Sequence, residues 1–309
     1  MARPFASWEN AIEKFAKDLA DNTTLAPRTV TFYHETIHAV LKYMEAQHMH
    51  TLPNQIDVHD VKKLLDCMAR DQLAIATRKG YLSALKKYLT HFGNTAMSDL
   101  TYKLPRDMRP KVDWLSSDQA MILLKCEKTP IQTVVIHLEL CLGLRRVEVV
   151  RLRLTDIHDD EGYITVLGKG SQGGKPRCIP YAKDTAHVMQ IARARRTELI
   201  CAAKKKRPTA AIPDNLIIWQ KGGVLHAYSE EGYGIDKVVS DPLSVQLGFH
   251  FSNHTLRRTF GRMMYRAGVE VATIAKILGH DSTEVTLRYI GVDLDDMQKA
   301  MQKDIFGVC

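Results

Sequence analysis

Between Tyr102 and Asp113 the chain reads YKLPRDMRPKVD. Pro105 and Pro110 each disfavour helix at their own position and at the residue before, and the alternating charges resist burial. Such a stretch cannot continue a helix. It divides the 309 residues into two folding units, as their number also favours. The expected boundaries are a first domain over 1–101, a linker over 102–113 and a second domain over 114–309.

The first unit reads as helical throughout. Trp8, Ile12, Phe15 and Leu19 recur at spacings of three and four. A second segment opens at Pro27 and carries Val30, Tyr33, Ile37, Val40, Leu41 and Met44. A third spans Val58 to Met68. A fourth starts near Ala74, carries Tyr81, Leu82, Leu85, Tyr88 and Leu89, and stops at Gly93. Lys79, Lys86 and Lys87 are placed to form an exposed face of that last helix, open to solvent or to phosphate.

The second unit is mixed. Ser116, three residues before Gln119, predicts a capping box. Ile131 to Leu142 is a strongly apolar helix, and Arg146 to Leu152 a short helical piece. Gly162 to Leu167 and Pro176 to Pro180 read as two strands around a glycine-rich loop, GKGSQGGK. Helix resumes from Ala186 to Leu199 and again after His254. The repeated strand–helix units of a doubly wound sheet are missing. Residues 193–207 hold seven basic groups and one acid, which fits a solvated helix end and loop or a polyanion-facing loop equally well.

Composition excludes several classes. The formal net charge is +8, which permits a polyanionic partner without requiring one. Six cysteines, none in a CxxC pair, make a disulfide scaffold or zinc knuckle a poor hypothesis and favour a reducing compartment. The first residues lack the apolar core of a signal peptide, and no uncharged run reaches membrane-spanning length. A cytoplasmic protein is expected. Asp159, Asp160 and Glu161 are adjacent and lack the spacing of a metal cage, so no metal is called for.

The chemistry-bearing residues lie in the second unit. In GLRRVE, Arg145 and Glu148 are placed to pair at i,i+3 and preorganise a guanidinium fork. Lys169 sits in GKG on the glycine loop, which is no Walker motif. In HTLRRTF, His254 and Arg257 share a helix face and suit phosphate binding. Leu278-Gly279-His280 ends one helix, Asp281-Ser282-Thr283 caps the next, and Tyr289 follows two turns on. Taken singly, each has a bland reading: a surface arginine, a turn lysine, a capping histidine, a core tyrosine.

Taken in order, the pattern GLRRVE, GKG, HTLRRTF, LGH and Tyr289 closely resembles the tyrosine recombinase family, which includes phage integrases and Xer-like recombinases. The resemblance covers nearly the whole chain. It implies a mostly α, two-domain fold: a helical core-binding domain, then a mixed α/β catalytic domain with a small antiparallel sheet. It implies a catalytic set of Arg145, Lys169, His254, Arg257, His280 and Tyr289, with Glu148 and Asp156 in supporting positions. Lys175 is a rival to Lys169, and with Arg177 joins the lysines of the fourth helix as a DNA-contact candidate. Arg258 stands where the family often has histidine.

The implied activity is site-specific DNA recombination without cofactor or metal, through a 3′-phosphotyrosyl intermediate, by an integrase or a Xer-like enzyme. The alternatives are a relaxing topoisomerase and a catalytically weak DNA-binding protein. The implied partners are duplex DNA, clamped between the two domains, and further copies of the chain in a synaptic tetramer. Leu294, Met297, Met301 and Ile305 recur at helical spacing in the C-terminal segment, which suits docking on its own domain or, as the resemblance implies, on a neighbouring protomer.

Overall fold

The computed structural model describes residues 5–22, 25–98, 100, 102, 104, 113–168, 176–230 and 233–291. These fall into two compact units, those up to 104 and those from 113 onward. Lys169, Lys175, most of the 102–113 linker and the C-terminal segment lie outside the described residues.

The first unit is four helices, α1 (Trp8–Asn22), α2 (Pro27–Ala46), α3 (Val58–Arg70) and α4 (Ile75–His91). Each turns one apolar stripe inward. Phe15, Ile37, Leu41, Met44, Leu64, Leu85 and Tyr88 are at or near zero exposure and form one core. A side chain buried to that degree contributes about 1.5–3 kcal/mol. Pro27 starts α2 at a position where its missing N–H costs nothing. Lys79 and Lys86 are exposed on α4, seven residues apart and so on one face. Lys87 departs from that face: it is half-buried, with Nζ 5.2 Å from the centroid of the Tyr33 ring.

The second unit opens with α5 (Ser117–Lys125), started by the expected capping box of Ser116 and Gln119. Then come α6 (Pro130–Leu140) and α7 (Arg146–Arg151). A three-stranded antiparallel sheet follows in the order β1 (Ile157–His158), β2 (Tyr163–Leu167), β3 (Pro176–Pro180). Pairing of Val166 with Arg177 fixes the β2–β3 register. The long α8 (Lys183–Lys206) and a hairpin of β4 (Ile218–Lys221) and β5 (Val224–Ala227) come next. Five helices complete the described chain: α9 (Tyr233–Val238), α10 (Ser240–Leu247), α11 (Asn253–Arg266), α12 (Val271–Leu278) and α13 (Thr283–Ile290).

This is a mostly helical chain with small antiparallel sheets. The second core joins α6, α7, the sheet, α8 and the start of α11 through Leu123, Val135, Leu138, Leu144, Val149, Ile164, Met189 and Leu256. A satellite cluster of Phe260, Ile274, Leu278 and Ile290 ties α11, α12 and α13 together. The basic run from Arg193 is helix as far as Lys206, with Arg207 just beyond its end. Lys204, Lys205 and Lys206 occupy the last turn of α8, where cations suit the negative end of the helix dipole. No described helix is long and apolar enough to cross a membrane.

Candidate active site

The site is built on two helix ends. α6 runs out at Leu140, and Gly143 turns the chain at φ +65° before Arg145 and α7. α12 ends at Gly279 with φ +61°, before His280. Each glycine is required twice over. Its backbone is left-handed, and a Cβ there would meet a packed neighbour: Phe260 Cδ1 at 2.4 Å for Gly143, and Arg177 Nη1 at 3.0 Å for Gly279. Carbonyls freed at these ends point at guanidinium groups. Arg257 donates to Gly143 O and Leu278 O, and Arg145 Nη2 donates to Gly279 O at 3.1 Å. Orphan helix-end carbonyls and buried arginines thereby satisfy one another.

Gly143→Ala therefore combines backbone strain with overpacking. A loss of about 2–4 kcal/mol in a denaturant titration is expected, with impaired activity because the carbonyl holding Arg257 moves. Unchanged stability would contradict this reading of the turn.

Glu148 is the hub. Its side chain is fully buried, and its carboxylate accepts the Arg145 amide at 2.7 Å and Arg145 Nη1 at 2.8 Å. It also accepts Arg177 Nη1 and Nη2 at 2.9 and 2.8 Å, a bidentate fork, and stands 3.6 Å from Arg257 Nη1. Burial pushes its pKa up, but the Arg177 bonds and charge, the Arg257 charge and the Arg145 amide outweigh that and hold it below the usual carboxylate range. The expected Arg145–Glu148 pair is present.

Arg177 corrects the sequence reading. It is no free DNA-facing cation: its side chain is 12% exposed and spans from β3 to Glu148 and to Ile277 O at 2.8 Å. The cause lies in partners far along the chain, which no local pattern announces. Among the described residues Asp156 does not join the site through a side-chain bond. It accepts the Arg153 amide at 2.8 Å and caps the 3-10 turn Leu154–Asp156.

Arg257 is 1% exposed. Burial, then the nearby Arg145 charge, bring its pKa down to about 10, so it stays cationic at neutral pH. His254, one turn earlier on α11, is exposed. Its pKa is lowered, first by desolvation and then by Arg258, Arg257, Arg146 and Arg145. His280 is lowered to about 4 by burial and by Arg257, Arg145 and Arg177, so its ring is neutral at pH 7. Its Nδ1 is hydrogen-bonded to Thr286 Oγ1 at 2.9 Å.

Tyr289 on α13 meets these groups. Its ring packs edge-on against His280 with centroids 5.0 Å apart. The guanidinium carbons of Arg257 and Arg258 lie 5.9 and 5.5 Å from its centroid. Its hydroxyl is buried and has no hydrogen-bond partner among the described residues. Burial raises the phenol pKa, opposed by the charges of Arg257 and Arg258, by a looser hydrogen-bonding approach of the Arg257 side chain, and by the Arg145 charge.

One buried acid escaped the sequence reading. Glu139 lies inside the apolar helix α6 at zero exposure, with neither oxygen hydrogen-bonded among the described residues. Burial and then Asp236 push its pKa well above the ordinary carboxylate range, against Arg146 and Arg257. A lone glutamate in an apolar run was the available signal.

Comparison with known proteins places the chain in a family. Residues 113–295 match the model of the phage integrase family, and residues 12–92 that of the phage integrase N-terminal SAM-like domain. The tyrosine recombinase XerD of Listeria innocua is 21% identical, with 96% of each chain covered. The tyrosine recombinase XerC of Myxococcus xanthus is 25% identical, covering 93% of this chain and 95% of its own. Among solved structures, XerH bound to a palindromic difH substrate superposes with a TM-score of 0.68 at 18% identity, covering 96% of this chain and 84% of that one. The Tn1549 transposon integrase in complex with transposon right end DNA gives 0.66 at 18%, covering 94% and 98%. At such identity these structures attest the fold. With 113–295 matched by the family model, the chain belongs to the phage integrase family of tyrosine recombinases.

Proposed function

We propose that the chain cleaves and rejoins duplex DNA at specific sites, as an integrase or a Xer-like recombinase, with Tyr289 as nucleophile. The observation that supports this most is a buried tyrosine hydroxyl that makes no well-formed hydrogen bond among the described residues and is ringed by two guanidiniums and a neutral imidazole. A structural tyrosine at such depth ordinarily spends its O–H on a hydrogen bond. One that must attack phosphorus needs that oxygen unspent.

The Tyr289 oxygen bonds to the scissile phosphorus as the bond from phosphorus to the 5′ oxygen breaks. The phenol gives its proton to a neutral imidazole, His254 or His280. The leaving 5′ oxygen takes a proton from Lys169, or from its rival Lys175. Arg145 and Arg257 bind the non-bridging oxygens, where charge accumulates. The products are a 3′-phosphotyrosine and a 5′ hydroxyl. Attack by a partner strand's 5′ hydroxyl reverses the step and conserves the bond energy.

On this reading the first unit is a core-binding domain, with Lys79 and Lys86 contributing to phosphate contact. The second is the catalytic domain, and the segment after Gly291 docks onto a neighbouring copy in a synaptic tetramer. The guanidiniums supply the positive charge that metal ions supply elsewhere.

The test is a nicked suicide duplex carrying the target site, selected from a random library. A denaturing gel is expected to reveal a protein–DNA adduct whose peptide map ends at Tyr289, formed at an unchanged rate in excess EDTA. Capture at another residue sinks the assignment. Cleavage that only magnesium restores, with DNA binding intact, sinks the account of the arginines. Relaxation of supercoiled plasmids that lack the site points to a topoisomerase instead.

A further inference from the structure

Arg258 has no task in the scheme above. It follows Arg257 on α11, yet the two guanidiniums are used differently. Arg257 is committed to the backbone carbonyls of Gly143 and Leu278. Arg258 is half-buried, and its Nε is shielded from solvent with no hydrogen bond among the described residues. An arginine that leaves a buried N–H unsatisfied bears a cost that some other contact must offset. The contact present is with Tyr289, whose ring centroid lies 5.5 Å from the guanidinium carbon.

Gly261 lies one turn further along α11. A Cβ there would stand 3.9 Å from Tyr289 Cδ1 and 3.3 Å from Leu278 Cδ1. The tyrosine ring thus lies within ordinary contact range of α11 at this turn, near both guanidiniums. The charged and titratable groups around the phenol are Arg257 and Arg258 on α11, Arg145 before α7 and His280 after α12. Among the described residues three of these four are permanent cations, and no acid appears among them.

We propose that Arg258 is a positioning residue for the nucleophile, holding the Tyr289 ring and stabilising the negative charge that grows on its oxygen. A cation near an aromatic ring attracts a phenolate more strongly than a phenol, and desolvation enlarges the difference. Arg257 supplies part of this attraction but is tied to the phosphate site. Arg258, whose guanidinium carbon is the nearer of the two to the ring centroid, has no such anchoring among the backbone carbonyls that hold Arg257. The proposal rests on Tyr289 being the nucleophile, and its test separates the two claims.

Single-turnover cleavage of the suicide duplex is measured from pH 6 to 10 for wild type, Arg258→Met and Arg258→Lys. Arg258→Met keeps the length of the side chain and removes the charge. The expected result is a roughly tenfold loss at neutral pH, with the alkaline rise of the rate displaced upward by about one unit. Arg258→Lys is expected to fall between, and carries the comparison if the methionine variant fails to fold. Placing a fluorinated tyrosine of lower phenol pKa at position 289 should narrow the gap between variant and wild type. An equal loss at every pH, unmoved by fluorination, overturns the proposal in favour of packing. Weakened DNA affinity with an unshifted profile overturns it in favour of a phosphate contact. Trapping of wild type through Tyr289 without any effect of Arg258 removes this inference and leaves the nucleophile standing; trapping elsewhere removes both.

Discussion

Tyr289→Phe is expected to abolish covalent capture of DNA while leaving the fold as stable as before, or more so. The first half follows from chemistry: without the phenol oxygen there is no nucleophile, and the loss should reach the detection limit of the gel. The second half follows from the structure. The hydroxyl is buried and makes no hydrogen bond of good geometry among the described residues, only a looser approach to Arg257, so its removal should break no strong bond. An unsatisfied buried polar group costs about 1–3 kcal/mol. Removing it should raise the unfolding midpoint or leave it unchanged. Affinity for the intact duplex should be retained in a gel-shift titration. A midpoint lowered by several degrees would mean that the hydroxyl has a structural partner, and would weaken the case for an oxygen held in reserve.

Glu148→Gln is expected to damage the protein as a whole. The substitution preserves shape but removes the charge that Arg145, Arg177 and Arg257 share. Breaking a buried ion pair by neutralising one partner costs about 3–5 kcal/mol, because the remaining charge stays desolvated. Here three cations lose one anion, so the upper part of that range applies, about 10 °C in the midpoint for a unit of this size. The pH dependence has a definite sign. The Glu148 pKa is lowered in the folded state. Its stabilisation is therefore present above the ordinary glutamate value of about 4.3 and is lost as pH falls through the folded value. The gap between wild type and Glu148→Gln should be widest at neutral pH and close under strong acid. A constant gap would show that the glutamine destabilises by misfit and not by charge.

Much of the site was legible in the sequence because its parts are local. Arg145 and Glu148 pair across one helical turn, Ser282 caps α13 through the Val285 amide, and His280 follows a glycine that ends α12. Periodicity located the helices of the first unit for the same reason. What escaped depends on distant partners or weak local signals. Arg177 takes its role from Glu148 and Ile277, 29 and 100 residues away. The β4–β5 hairpin has strands too short for an alternating pattern, although Gly222-Gly223 between two apolar runs is a hairpin signature. The end of α8 was hidden by its charge, since lysine and alanine are good helix formers whatever the charge density suggests. Glu139 was hidden by its apolar neighbours.

The acceptors for Arg145 and Arg257 at the ends of α6 and α12 include main-chain carbonyls. Main-chain atoms are common to every residue. Side chains along the flanks of α6 and α12 are free to change without deleting an acceptor, provided both helices still terminate where they do. What the site demands of its surroundings is thus punctuation more than vocabulary: two glycines at two stops. Mutational tolerance should accordingly be uneven, broad along the outward faces of these helices and abrupt at Gly143 and Gly279. An insertion of one residue before either glycine would rotate the carbonyls away from both guanidiniums together, leaving every catalytic side chain present and the active site unassembled.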